Sequence, residues 1–528
     1  MNQPSSAKTI RSVITASSLG TMIEWYDFYI FGMLAKTIST QFFPEGNPTA
    51  ALLSTLAIFA AGFIVRPFGA LVFGRLGDLI GRKYTFLLTL ILMGGSTFLI
   101  GCVPNYASIG IAAPILVLLL RLLQGLALGG EYGGAATYVA EHAPVGKRGY
   151  YTSWIQTTAT LGLFVALGVI LIVKSNMSDT AFNTEWGGWR YPFWISILLV
   201  GVSIYIRMKM AESPIFSKLK AEGKTSTNPL KESFRHKANF KMVLLALFGA
   251  VMGQGVIWYT GQFYAQNFLE TKCFLEFEQS RTIMLWAIAF ATPFFLLFGW
   301  LSDKIGRKWI MMTGMALAIF TYRPIFSIFL RDTNVKELIK TNVAIKEQVL
   351  KSDTIKINLF NYIEHTVNKM SVNGISFSRE KFDTVYFTGT LYPPLSTMGP
   401  TNMNELKKEI VEDTKPKYSN IILPSSIYWK FIGLVFLLIL YVTMVYGPIA
   451  AFLVEMFPTK IRYTSMSLPY HIGNGVFGGL VPFIGLLLTT TYPADPLVGL
   501  WYPIGVATVC LIIGVLYLNN KIDKNIKD

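Results

Sequence analysis

The sequence predicts an all-α polytopic membrane protein, with twelve transmembrane helices in two six-helix halves and a polar extracytoplasmic insertion between helices 9 and 10. Three observations predict it. Of 528 residues, 52% are hydrophobic and only 14% are charged, whereas soluble domains carry about a quarter charged residues. Apolar runs of spanning length recur along most of the chain. The stretch Gly74-Arg75-Leu76-Gly77-Asp78-Leu79-Ile80-Gly81-Arg82-Lys83 returns as Gly299-Trp300-Leu301-Ser302-Asp303-Lys304-Ile305-Gly306-Arg307-Lys308. The same polar turn in two equivalent settings marks two homologous halves.

A second echo locates the insertion. Glu141, Pro144 and Arg148 return as Glu455, Pro458 and Arg462. The first pair of turns is offset by 303 − 78 = 225 residues and the second by 455 − 141 = 314. The extra chain therefore lies between Lys308 and Glu455.

Taken in order, spans are expected near 19–42, 52–74, 84–103, 111–140, 152–173 and 191–210, then near 242–264, 283–301, 309–329, 430–454, 466–490 and 499–518. The domains follow: 1–210 is the first half, 211–241 a basic linker, 242–330 holds helices 7–9, 331–428 is the insertion, and 429–528 holds helices 10–12 with a tail. Lys and Arg collect in alternate loops and in the linker, which the positive-inside rule makes cytoplasmic together with both termini. The net charge of +16 is thus read as topology and not as nucleic-acid binding. The first 18 residues have no apolar stretch of the kind a cleavable signal needs. Cys102, Cys273 and Cys510 have no metal-ligand spacing and are read as free thiols, with no metal or cofactor implied.

Within the insertion, 335–350 has helix-like spacing, 355–360 and 383–392 read as strands, and 403–413 as a second short helix. A small α/β domain and a long mobile loop are both open readings.

Charges inside spans are costly, about 2.5–3.5 kcal/mol each on insertion scales, so they face a cavity or a partner. Glu24 and Asp27 are three residues apart and share a helix face. Two adjacent carboxylates oppose each other's ionisation, which suits proton uptake; simple pairing with a cytoplasmic base is the other reading. Arg66 and Arg121 keep their charge and need counter-ions, for which Glu24, Asp27 and Glu131 are available. For each arginine a structural salt bridge stands beside the functional role. The glycines around Glu131 permit close helix packing.

These motifs carry a resemblance. The two signature turns resemble the loops of the major facilitator superfamily. Glu24-Trp25-Tyr26-Asp27-Phe28 resembles the first-span motif of its metabolite:proton symporter family, and Arg121-Leu122-Leu123-Gln124-Gly125 resembles the fourth-span motif of proton-coupled members. The resemblance covers 15–330 and 430–518, and the superfamily pattern has no counterpart of the insertion. It implies the major facilitator fold. It also implies transport of a small polar metabolite (a dicarboxylate, citrate, shikimate, proline or betaine) by proton symport through alternating access, in a bacterial inner membrane. Glu24, Asp27, Arg121 and Glu131 are the expected proton-coupling residues.

The repeat exposes an asymmetry. At the two offsets, Arg66 maps to Ala291, Arg121 to Val435 and Glu131 to Val445. Embedded charge is concentrated in the first half, and the second offers aromatics, amides and one histidine. Candidate substrate contacts are Tyr26, Arg66, Gln156, Tyr259, Gln262, Tyr446, His471 and Asn474. Packing is the other reading for each aromatic and for His471. The signature turns are expected to lock the cytoplasmic side, as the resemblance implies. Asp78 and Asp303 face the N-termini of the spans beginning near 464 and 151, where a helix dipole favours a carboxylate. Arg82 then pairs with Glu141 and Arg307 with Glu455; Arg148 and Arg462 complete the gating set. A basic residue usually follows the first-loop Asp, and here Leu79 stands instead.

The expected partners are a small-molecule substrate, protons and the lipid bilayer, with no nucleic acid, and the protein is expected to act as a monomer. An uncoupled uniporter, or a sensor using 331–428, is the alternative. No catalytic Ser/His/Asp or metal set lies in the spans, and four histidines in all leave little for one, so an enzyme is not expected.

Overall fold

The computed structural model describes residues 18–208, 237–333 and 423–520, except 19–20, 24, 45, 81, 130–135, 138, 141–142, 145, 424 and 458–461, and adds short strands between 354 and 418. The helices expected at 335–350 and 403–413, and the linker 211–236, lie outside the described residues.

The long helices follow the repeat. In the first half, α1 covers 25–33 and, after a turn at Leu34, Ala35–Phe42. Next, α2 is Pro48–Ile64 continued as Arg66–Ile80, α3 is Arg82–Ile100, α4 is Ala112–Gly129, α5 is Arg148–Ser175 and α6 is Tyr191–Met208. In the second half, α7 runs Lys237–Thr271, α8 is Phe277–Ile305 and α9 is Arg307–Asp332. Then α10 is Ser425–Tyr446 with Ile449–Met456, α11 runs Arg462–His471, Ile472–Gly478 and Val481–Thr491, and α12 is Trp501–Tyr517. Among the described residues nine helices are long and apolar enough to cross a membrane, and α3 adds the shorter apolar stretch Leu87–Ile100. Several helices outrun the expected spans, α7, α2 and α8 most of all, because their polar ends count against an apolar window.

Local chemistry sets the ends. Asn47 caps α2, its side chain accepting from the Ala50 amide at 3.0 Å, with Pro48 in the first turn, where a missing N–H costs nothing. The carbonyls at the end of α3 find donors on the next hairpin. Arg190 gives Nη1 to the carbonyls of Gly101 (2.8 Å) and Val103 (2.6 Å), and Trp194 donates to Gly101 at 3.0 Å. At the other end of the bundle, Lys308 caps α12 through the carbonyls of Val515 (2.7 Å) and Leu518 (2.8 Å). Gly306 has φ +99°, and a Cβ there would stand 2.2 Å from the Asn520 side chain.

Among the described residues, two of the long helices contain π-helical turns. Leu247–Val251 and Thr260–Tyr264 of α7, and Ile472–Gly478 of α11, are π-helical. Such turns widen a helix and often sit at functional sites. They accompany glycines at a close α7–α11 crossing: a Cβ on Gly255 would lie 2.5 Å from the Gly473 carbonyl oxygen.

The chain divides into two compact units. The first comprises Met1–Tyr264, Leu285–Tyr322 and Phe436–Asp528. In it α2 and α3 pack on α4, α6 packs on α3, and α7 packs on α11 and α12. The repeat halves meet at both ends of this unit. At the end of the signature turns, α10 packs on α5 and α11 on α2. At the opposite end, Ala35, Leu52 and Leu56 of α1 and α2 enclose Leu486 of α11.

The second unit comprises Ala265–Met284 and Arg323–Val435. Strands β1 (Thr354–Asn358) and β2 (Glu364–Asn368) pair antiparallel, as do β3 (Glu380–Lys381) with β4 (Val385–Phe387) and β4 with β5 (Lys417–Tyr418). A buried ion pair fastens its helical base. Arg281 reaches Glu270 at 2.7 Å, and Gln266 (3.0 Å) and Ser280 (3.1 Å) donate to the same oxygen. Lys430 and Asp332 pair at 2.5 Å across the two ends of the insertion.

Candidate functional site

The first unit buries its charges around one ring. Asp27 is wholly buried on α1, and neither carboxylate oxygen has a hydrogen-bond partner among the described residues. Arg66 is 1% exposed and Arg121 fully buried. The sequence called for carboxylate counter-ions. Glu24 and Glu131 lie outside the described residues, and no ion pair joins Asp27 to either arginine among those described.

Aromatic faces surround both guanidiniums. The Arg66 Cζ lies 4.4 Å from the Phe28 ring centre, 4.2 Å from Phe63 and 5.4 Å from Trp25. The Arg121 Cζ lies 4.0 Å from Phe28, 4.7 Å from Phe31 and 5.1 Å from Phe59. Desolvated cation–π contacts are worth about 2 kcal/mol. Phe28 therefore serves both charges. Arg121 also donates to the Phe28 carbonyl (3.3 Å) and to Gln124 Oε1 (2.7 Å), and Gln124 donates on to Thr97 (2.6 Å).

Arg66 reaches across to the second half, where the Tyr259 hydroxyl accepts its hydrogen bond. Its charge also acts on Tyr446 and His471. Tyr446 shares a hydroxyl–hydroxyl hydrogen bond of 2.8 Å with Tyr470, and His471 is 2% exposed. Trp258 stacks on Tyr29 at 5.2 Å, and Phe263 packs against Tyr29 at 5.2 Å. Residues 258, 259, 262 and 263 of α7 thus form one face turned to the first half, and Gln262 is buried within it.

The other predicted contacts are placed differently. Tyr26 donates to the Pro192 carbonyl of α6 at 2.9 Å, a bond within the first half. Asn474 is held by Gln254 through reciprocal amide hydrogen bonds of 3.0 Å. Gln156 is buried on α5.

At the signature end, Asp303 accepts from the Gly149 amide (2.8 Å) and the Tyr150 amide (2.9 Å), so its carboxylate sits on the first turn of α5. Arg307 pairs with Glu455 at 2.8 Å and with Asp303 at 2.7 Å, and donates to Ser302 at 2.7 Å. Arg148 opens α5 and is half-buried. Glu141 and the side chains of Asp78, Arg82 and Arg462 lie outside the described residues.

Sequence reasoning did not select Phe28, Phe63 or Tyr29, whose role is to face a charge or a ring across a helix interface. It also missed Glu270 and Arg281. Opposite charges flanking one short turn would have flagged that pair.

Buried charge at the meeting of two repeated helix sets, with the Asp303–Arg307–Glu455 cluster at one end, is an arrangement that suits a membrane transporter. Comparison with known proteins gives the family. Residues 13–345 match the model of the sugar (and other) transporter family. The chain is 31% identical over 485 residues to the inner membrane metabolite transport protein YhjE of Escherichia coli K12, covering 91% of this chain and 88% of that one. It is 38% identical over 321 residues to the alpha-ketoglutarate permease of the same organism, covering 61% and 72%. It is 34% identical over 345 residues to the proline/betaine transporter of Salmonella typhimurium LT2, covering 62% and 66%. The partially occluded inward-open xylose transporter XylE of E. coli superposes with a TM-score of 0.60 over 97% of this chain and 98% of that one, at 15% identity, a likeness of fold. The protein belongs to the sugar (and other) transporter family of the major facilitator superfamily.

Proposed function

We propose that the protein imports a small organic acid or zwitterion by proton symport, through alternating access of its repeat halves, across a bacterial inner membrane with both termini cytoplasmic. The observation that carries this reading is Arg66. It is a buried guanidinium that touches the second half through Tyr259, while its Nε and Nη2 have no partner among the described residues. That fork matches a carboxylate through two parallel hydrogen bonds. Alpha-ketoglutarate, proline and betaine, the compounds in the relatives' names, all carry one. Asp27, with Glu24, Arg121 and Glu131, takes the proton, and Asp303, Arg307 and Glu455 hold the signature end shut.

The test is proton movement in proteoliposomes on adding single acids or zwitterions. Substrate should drive protons inward, and Asp27→Asn should abolish the movement while leaving substrate binding. Labelled uptake without proton movement would replace symport by uniport. Unchanged affinity in Arg66→Gln would remove the direct contact.

A further inference from the structure

The hydrogen bonds behind Arg121 run in one direction. A guanidinium only donates, so the atom facing Arg121 Nη1 at 2.7 Å has to be the oxygen of the Gln124 amide. The amide nitrogen is thereby turned to Thr97, whose hydroxyl accepts at 2.6 Å. The Thr97 proton in turn goes to the Met93 carbonyl at 2.9 Å. Each donor along this path has an acceptor, and Arg121, Gln124 and Thr97 are all fully buried. A satisfied buried network of this kind makes its side chains rigid. Its far end lies on α3, which packs on α2, α4 and α6 of its own half.

The arginine held in this way has no counter-charge among the described residues. Its Nη1 partners, the Gln124 amide and the Phe28 carbonyl, are neutral. Its Nε and Nη2 have no partner among the described residues. That edge lies beside α2 at Gly62, where a Cβ would stand 3.5 Å from both nitrogens. A buried arginine that serves structure is commonly paired with a fixed acid, as Arg281 is with Glu270. The Phe28 carbonyl that Arg121 grips belongs to the residue after Asp27, and both Asp27 oxygens are without a partner among the described residues. We infer that Thr97 and Gln124 are positioning residues for proton coupling. They hold Arg121 by one nitrogen against α1, at the residue after Asp27, and leave its charge and its other edge for a carboxylate that comes and goes. The inference rests on the coupling role proposed above for Asp27 and Arg121. Without a hydroxyl at position 97 the Gln124 amide loses the acceptor that sets its direction, and Arg121 can leave the Phe28 carbonyl.

The experiment measures protons moved per substrate in proteoliposomes of the full-length protein, with labelled alpha-ketoglutarate, proline and betaine assayed singly. Thr97→Val keeps the shape and removes the hydroxyl; Gln124→Met keeps the length and removes the amide. Each should lower the protons moved per substrate by about 3-fold or more, and Thr97→Ser should stay at the wild-type ratio. Exchange of labelled for unlabelled substrate, which needs no net proton movement, should persist in Thr97→Val. A merely structural role would lower exchange and net uptake together and leave the ratio where it was. Thermal unfolding of each variant checks the fold, and Gln124→Met decides the matter if Thr97→Val does not fold. Arg121→Gln separates the two levels of the argument. If it uncouples while Thr97→Val and Gln124→Met keep the ratio, or if Thr97→Ser is as uncoupled as Thr97→Val, the positioning assignment is overturned and Arg121 keeps its role. If Arg121→Gln keeps the ratio, the coupling role of Arg121 and this inference fall together. Uptake without proton movement in the wild type, or uptake of none of the three compounds, overturns the proposed symport and this inference with it.

Discussion

Arg307 grips Glu455 with two hydrogen bonds, Nη2 to Oε1 at 2.8 Å and Nε to Oε2 at 3.2 Å, while its Nη1 stands 2.7 Å from Asp303. One guanidinium thereby joins the end of α10 to the carboxylate seated on the first turn of α5. Breaking a buried pair costs about 3–5 kcal/mol, and in the gating role proposed above this cluster, through the Asp303 bonds to α5, holds the end shut. Glu455→Gln should therefore shift the protein towards opening at the signature turns. A cysteine replacing Ser153 should react faster with a soluble thiol reagent in that variant, by tenfold or more.

The α7–α11 crossing depends on absent side chains. Gly255→Ala would push a Cβ to 2.5 Å from the Gly473 carbonyl oxygen. Overpacking of this kind costs about 1–3 kcal/mol, so thermal unfolding should move down and turnover should fall. Gly168→Ala on α5 is the control. A Cβ there meets nothing within 4 Å, and alanine is the better helix former.

The loop before α6 has a pH-dependent tie. Glu185 Oε1 accepts from Ser108 Oγ at 2.6 Å and from the Asn105 amide at 3.1 Å. These bonds, the Ser108 one foremost, hold its carboxyl below the usual range. A depressed folded value means the tie contributes above the ordinary carboxylate pKa and is lost as pH falls through the lowered one. The Tm of Ser108→Ala should lie below that of the wild type at pH 6. The two should converge as the medium approaches pH 3.

The Glu270–Arg281 pair should be expensive to break and cheap to remove. Arg281→Met leaves a buried carboxylate without its counter-charge and should cost about 3–5 kcal/mol, seen as a loss of folded yield. The double change Glu270→Gln, Arg281→Met should recover most of it. A double variant as poor as the single one would mean that the arginine acts by shape.

The fold was legible because its causes are periodic or repeated. Apolar runs mark the helices, and the turns at Asp78 and Asp303 reveal the two halves. The same repetition brought Arg307 and Glu455 into view as a pair, and the helix dipole brought Asp303 to the start of α5. Side-chain partners were less legible. Arg66 and Arg121 look in sequence as if they need acids, but a quadrupole on Phe28 lies 100 or fewer residues away without any charge to announce it. Tyr26 and Asn474 look like pocket residues, yet Pro192 and Gln254 take their hydrogen bonds. The π-helical turns of α7 leave no mark in composition, because they arise from how the helix packs.

The Glu270–Arg281 pair has a consequence for how the chain is made. Only eleven residues separate the two charges, on either side of the short turn between α7 and α8. At synthesis rates of about 5–20 residues per second, each meets its counter-charge within roughly two seconds of leaving the ribosome. The two charges can thus neutralise each other before α9 to α12 exist. Arg66 differs: its contact Tyr259 belongs to a helix translated much later. The second unit's base can settle early in biogenesis, whereas the buried Arg66 waits for the second half of the protein to be born.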